Sequence, residues 1–178
     1  KEAIFAVTIP EEKGSFLNFC RALQGRNITE FNYRACSSSA AQVFVGISLK
    51  AGEKERHDIH ELLKAHYDVD DLSDDEVAKL HIRYLVGGHA DIANERLFRV
   101  EFPERPGALL TFLERLGPTH NITLFHYRNH GAAEGRVLVG LEAEDAQQNP
   151  DGLIETLESI SYPYVEITNN LGYQRFLK

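Results

Sequence analysis

From Ala3 to Ile9 every second position is apolar (Ala3, Phe5, Val7, Ile9) and β-favouring residues dominate, which predicts a strand. Pro10 ends it. After the polar turn EEKG, Phe16, Leu17, Phe19, Cys20 and Leu23 recur at helical spacing, so a helix opens at Gly14 and stops at Gly25. Ile28 to Cys36 and Gln42 to Leu49 read as two strands of a hairpin around the small, polar SSSA. Glu53 to His66 is amphipathic, with Ile59, Leu62 and Leu63 on one face, and Val69 to Leu72 is a short strand. Together these elements make a βαββαβ unit, an antiparallel sheet with helices packed on one side. Beyond it, Ser73 and Glu76 stand at capping-box spacing, which predicts a short helix, and HIRYLV then reads as a fifth strand.

The pattern then starts again. Phe5, Val7, Pro10, Glu11, Gly14, Leu17, Phe19 and Leu23 meet Phe98, Val100, Pro103, Glu104, Gly107, Leu110, Phe112 and Leu116 at constant spacing. The octet NITEFNYR (Asn27 to Arg34) returns as NITLFHYR (Asn121 to Arg128), and VFVG at Val43 returns as VLVG at Val137. Even RYL at Arg83 has its counterpart in RFL at Arg175. Two copies are too few for a solenoid, so this is a duplicated small domain of the α+β class. The copies occupy residues 1–86 and 96–178, and GGHADIANE (87–95) reads as the linker.

Composition narrows the function. A chain of 178 residues, 43% of them hydrophobic, needs no disulfide or metal to hold a core. The formal charge of −8 argues against broad nucleic-acid or anionic-membrane binding. No apolar run approaches the roughly 18 residues of a membrane span, and acidic residues flank the first apolar stretch, unlike a signal peptide. Cys20 and Cys36 have no CxxC partner and sit among apolar residues, which fits buried thiols in a reducing cytosol. The chain contains no methionine, as expected of a piece of a longer polypeptide.

No nucleophile elbow, P-loop or dinucleotide fingerprint is present. His57 and His60 share a helix face and His126 and His130 a strand face, but no further ligand completes a metal set, and both pairs fit solvated or packed positions better. The helix entrances PEEKG and PERPG are more informative. A helix N-terminus presents unpaired N–H groups and partial positive charge, and Gly14 or Gly107 lets a carboxylate approach. A plain turn explains either loop alone. Both copies, however, also keep Asn27/Asn121, Tyr33/Tyr127 and Arg34/Arg128, which core packing does not explain. Phe31 and Tyr33 share one strand face and Arg34 takes the other. Glu11 and Glu104 are candidates to meet an ammonium group, with solvated glutamate as the alternative.

A strand, a P-x-x-x-G loop, a helix and then NI opening the next strand resemble the ACT domain, a ferredoxin-like amino-acid sensor. FPERPGALLTFL with NITLFHYR, EEKGSFLNFC with NITEFNYR, and the bridge DLSDDEVAKLHIRYLVGG are similar to the C-terminal regulatory region of biosynthetic threonine dehydratases, over nearly the whole chain. The resemblance implies two ACT-like subdomains that bind isoleucine as feedback inhibitor and valine as opposing activator. It implies no cofactor and no catalysis in this chain, since pyridoxal phosphate belongs to a catalytic domain of the same polypeptide. It also implies a homo-oligomer in the cytoplasm, or in the plastid stroma for a plant or algal parent. Carried over by position, the effector residues are Gly14, Asn27 and Tyr33 in the first copy and Gly107, Leu109, Leu113, Asn121 and Tyr127 in the second. Glu11, Arg34, Glu104 and Arg128 are secondary candidates. Lys13 departs from the family pattern where Pro106 stands in the second copy, so the two sites are expected to differ. The alternative is an ACT-like dimerisation module that binds no metabolite and pairs through an exposed fifth strand.

Overall fold

The computed structural model describes all residues except 36–38, 84–89, 104–106, 129–133 and 144–151. The first copy contains β1 (Glu2–Pro10), α1 (Ser15–Ala22), β2 (Ile28–Arg34), β3 (Ala40–Ser48), α2 (Glu53–Lys64), β4 (Asp68–Asp71) and a short helix α3, π-helical over Ala78–Ile82. The second repeats the order with β5 (Glu95–Pro103), α4 (Ala108–Leu116), β6 (Asn121–Arg128), β7 (Glu134–Glu142), α5 (Gly152–Ile160), β8 (Tyr164–Glu166) and α6 (Leu171–Phe176).

All eight strands join one antiparallel sheet, ordered β4-β1-β3-β2-β6-β7-β5-β8. Each half carries the ferredoxin-like order, and the halves meet where β2 pairs with β6. The two repeated octets are therefore hydrogen-bonded to each other. Glu30 lies opposite Arg128, Asn32 opposite His126 and Arg34 opposite Leu124. Because Asn32 and His126 are equivalent in the repeat, a pseudo-twofold axis passes through their pair.

α1, α2, α4 and α5 cover one face of the sheet. Their apolar residues and Phe5, Val7, Phe31, Val45, Phe98, Phe125 and Val139 build one continuous core. α1 packs beside α4, with Leu17 against Gly117 and Arg21 3.6 Å from Glu114 on the surface. The expected helical layer is thus shared by both copies. The opposite face is not bare. Ala78 packs on Ile4 and Phe44, and Tyr173 packs on Leu97 and Leu124, so α3 and α6 each cover part of it.

Three local expectations change. The fifth strand expected at HIRYLV is helical at His81 and Ile82, and its last three residues fall outside the described ones. A short apolar run does not distinguish strand from helix, and here the helix brings Ala78 onto the second face. Ser73 does not cap this helix. Its hydroxyl accepts the Ile4 N–H at 2.9 Å, and Asp75 caps instead by accepting the Ala78 N–H at 3.0 Å. Glu95, read as the last linker residue, is the first residue of β5.

Candidate functional site

The helix entrances repeat closely. Gly14 has φ 83° and ψ −11°, and Gly107 has φ 84° and ψ −10°. A Cβ at either would touch nothing within 4 Å, so the left-handed backbone, not crowding, requires glycine there. Among the described residues neither helix has a side-chain cap at its N-terminus. In the first copy, Glu11 anchors its N–H to the Ser39 carbonyl at 3.0 Å, and its carboxylate accepts the Tyr33 hydroxyl at 2.8 Å. The Tyr33 ring stacks on Phe16 with centroids 5.3 Å apart. Phe16 in turn reaches across the pseudo-axis to Phe125 at 4.9 Å.

Glu11, Gly14 and Tyr33 therefore gather at one entrance. Tyr33 is buried and its hydroxyl is engaged within the protein, so it holds Glu11 in place instead of presenting a spare donor. In the second copy Tyr127 is buried opposite Phe31, Leu113 is buried and Leu109 is half-buried beside the same core. Glu104 lies outside the described residues. Asn27 and Asn121 stand at the far ends of their octets from the tyrosines, about 20 Å away at strand rise. The Asn27 carbonyl accepts the Ser48 N–H, and the Asn121 amide donates to Glu142 at 3.0 Å. Among the described residues no group of three His, Cys, Asp or Glu is placed to hold a metal. His60 stacks on Phe5, whereas His130 and Cys36 lie outside the described residues. Burial pushes the Cys20 thiol far above its ordinary value, which leaves it inert.

Arg34 is not at an entrance. It points to the other face and forms a two-pronged ion pair with Glu95, both residues being buried. Arg34 also donates to the carbonyls of Leu177 and Thr123. Glu95 further accepts the Thr123 and Tyr173 hydroxyls. Burial, then the bond to Glu95, raises the Tyr173 pKa beyond the usual phenol range. Glu30, on the same face, takes a two-pronged contact from Arg83 and accepts the Asn32 amide at 2.9 Å. The Arg128 side chain lies outside the described residues, although its backbone pairs with Glu30.

A Thr–Glu–Gly constellation underlies this face in both copies. Thr29 donates to Glu2, and Thr123 to Glu95. Each threonine sits at a register shift in its strand. A Cβ on Gly46 would lie 2.5 Å from the Thr29 hydroxyl, and one on Gly140 would lie 2.8 Å from the Glu95 carboxylate. The glycines closing VFVG and VLVG make room for these pairs. Glu2 and Glu95, Thr29 and Thr123, and Gly46 and Gly140 are all aligned repeats, so the signal was present in the sequence, although its meaning was not.

One antiparallel sheet built from two βαββαβ units, with matched helix entrances beside its centre, defines a tandem ACT-like regulatory domain. The chain belongs to the family described as the C-terminal regulatory domain of threonine dehydratase, whose model matches residues 1–82 and 86–177. It is 52% identical over 180 residues to the biosynthetic L-threonine dehydratase of Escherichia coli K12, covering 99% of this chain and 34% of that protein. It is 40% identical to the mitochondrial threonine dehydratase of Saccharomyces cerevisiae, covering all of this chain and 32% of that protein. It is 34% identical to the chloroplastic biosynthetic enzyme of Arabidopsis thaliana, with 96% and 28% covered. The chain thus spans about a third of the length of these relatives. Among the described residues no helix is long and apolar enough to cross a membrane.

Proposed function

We propose that this chain is the effector-sensing region of a longer, pyridoxal-phosphate-dependent threonine dehydratase, and that it binds isoleucine as inhibitor and valine as activator. Threonine chemistry and the cofactor belong to the remainder of that polypeptide. The observation that carries the reading is the duplicated helix start behind a left-handed glycine, with the buried Tyr33 beside it in the first copy. Each part suits an amino acid. The helix N–H groups receive the carboxylate. Glu11, held by Tyr33, draws the ammonium group at the first entrance. The aromatic cluster of Phe16, Phe31 and Phe125 borders the aliphatic side chain. Isoleucine and valine differ by one methylene, worth roughly 1–3 kcal/mol in an apolar pocket. Opposite effects then require that each ligand favours a different conformational state.

Calorimetry of the chain with isoleucine, valine and threonine tests this. Isoleucine and valine are expected to bind and to compete. Tyr33→Phe, which releases Glu11, is expected to weaken isoleucine by roughly 2- to 12-fold, the worth of one hydrogen bond. If none of the three amino acids binds, the effector reading fails and a ligand-free association module takes its place.

A further inference from the structure

Tyr33 and Arg34 are neighbours on β2 that face opposite sides of the sheet. Tyr33 belongs to the helix-entrance cluster. Arg34 belongs to a buried network joining the first copy to Glu95 and Thr123 of the second. The same network holds α6. Tyr173 donates its hydroxyl to Glu95, and the Leu177 carbonyl accepts from Arg34 and from the Ala90 N–H at 3.3 Å. α6 is thereby tied to the central joint, to the start of β5 and to the segment between the copies.

Among the described residues the other polar holds on this helix are local: Asn170 accepts the Tyr173 N–H at 3.1 Å and Gln174 donates to the Thr168 carbonyl at 2.7 Å. The helix spans six residues, too few to be stable alone. Among the described side chains its apolar footing is Tyr173 on Leu97 and Leu124, with Leu138, Ile167 and Leu177 at the margin. Leu171 at its start is 78% exposed. Two-pronged ion pairs and charge-assisted hydrogen bonds depend steeply on geometry, and a buried pair that loses one partner is strongly disfavoured. A small shift of β2 against β6 would therefore weaken the hold on α6 abruptly, which makes the contact two-state in character.

We infer that α6 is a latch on the joint between the two copies, and that an effector bound at the helix entrances changes how firmly the Arg34–Glu95 pair holds it. The inference rests on the effector reading above. β2 is the physical link, because a ligand engaging the Tyr33 side repositions the strand that carries Arg34 on its other side. Linkage makes the coupling reciprocal: loosening the latch must change effector affinity by the factor by which the effector changes the latch.

Hydrogen exchange of the α6 amides, followed by mass spectrometry on the whole chain with and without saturating isoleucine, tests the coupling. Isoleucine is expected to change α6 exchange by about 5-fold or more, the usual lower range of allosteric coupling. Tyr173→Phe removes one latch bond and keeps the ring on Leu97 and Leu124, so the fold is retained. It is expected to speed α6 exchange and to change isoleucine affinity several-fold, although Tyr173 lies across the sheet from Tyr33. Faster exchange in Tyr173→Phe with unchanged isoleucine affinity would show that α6 is merely structural and would overturn the latch. Isoleucine binding without any α6 response would overturn it too, leaving the effector reading intact. Failure of the unaltered chain to bind isoleucine would remove the effector reading and the coupling with it.

Discussion

The two faces of the β2–β6 joint solve different problems with the same eight residues. On the helix side, Phe31, Tyr33, Phe125 and Tyr127 merge with Phe16 into an aromatic core that crosses the pseudo-axis. On the other side, Glu30, Asn32 and Arg34 are buried polar groups, each with named partners. The aromatic side joins the copies by burial, which is non-directional and tolerates small shifts. The polar side joins them through directional bonds that leave unpaired charges if broken. One side supplies cohesion, and the other supplies a unique arrangement that a shift in the strands would disturb. A repeated octet with alternating character delivers both, because adjacent strand residues face opposite ways.

The largest effect is expected from breaking the polar side alone. Arg34→Met strands the Glu95 carboxylate in a buried site and should cost about 3–5 kcal/mol, lowering Tm by roughly 6–20 °C for a chain of this size. Arg34→Met with Glu95→Gln should recover most of that loss, because no buried charge is then left over. Thermal unfolding of the single and double variants decides. A double variant as unstable as the single would mean that packing, not charge, holds this face.

A smaller effect should separate the two copies. Gly140→Ala places a methyl 2.8 Å from the Glu95 carboxylate, 2.9 Å from the Leu124 Cβ and 2.9 Å from the Thr123 hydroxyl, all on buried residues. Such overpacking costs about 1–3 kcal/mol. The nearest atoms to a Gly46→Ala methyl belong to Thr29 and Glu2, which are half-buried, so its loss should be smaller. Equal losses in denaturant titrations would argue that the two Thr–Glu–Gly sets are equally confined.

The smallest effect belongs to the sheet edges, where similar pairs are solvated. Burial works to raise the Asp71 pKa, but the hydrogen bonds from Arg56 and Ser73 outweigh it and hold the carboxyl below its ordinary value. At the other edge, the hydrogen bond from Arg96 is the main cause that lowers Glu166. A depressed carboxylate stabilises the folded state above its unfolded pKa, and that contribution disappears as pH falls through the folded pKa. Acidification from about pH 5 to about pH 2 should therefore lower Tm. Arg56→Ala and Arg96→Ala should each flatten that decline. The flattening should be larger for Arg56, which binds Asp71 at 2.6 Å and Asp74 at 2.8 Å. Identical pH profiles in all three proteins would show that the edge pairs contribute nothing measurable.

Much of this was legible in the residues. Period-two and helical spacing located the strands and long helices, and the repeat revealed two copies. Alternation put Phe31 and Tyr33 on one face and Arg34 on the other. The glycine entrances stood out because turn, helix start and repeat coincided at Gly14 and Gly107. Glu95 was read as linker because its neighbours are loop-like, and nothing local marks a glutamate that will be buried. The continuation of the short helix through His81 and Ile82 was missed because that apolar run also fits a strand. Tyr33 was expected among the effector residues, and only the fold shows its hydroxyl bonded to Glu11.

The sequence by itself determined the duplicated βαββαβ units, the opposite faces taken by Tyr33 and Arg34 and the glycines at the two helix entrances. Those follow from local sterics and from the spacing of apolar positions, which need no knowledge of distant partners. Only the tertiary structure decided that the two octets pair with each other, that Arg34 meets Glu95, and that α3 and α6 close the second face. Strand period says which way a side chain points but not which strand will lie beside it. That choice is made by contacts between residues far apart in the chain, and the worth of a charge pair is set by the burial those contacts create.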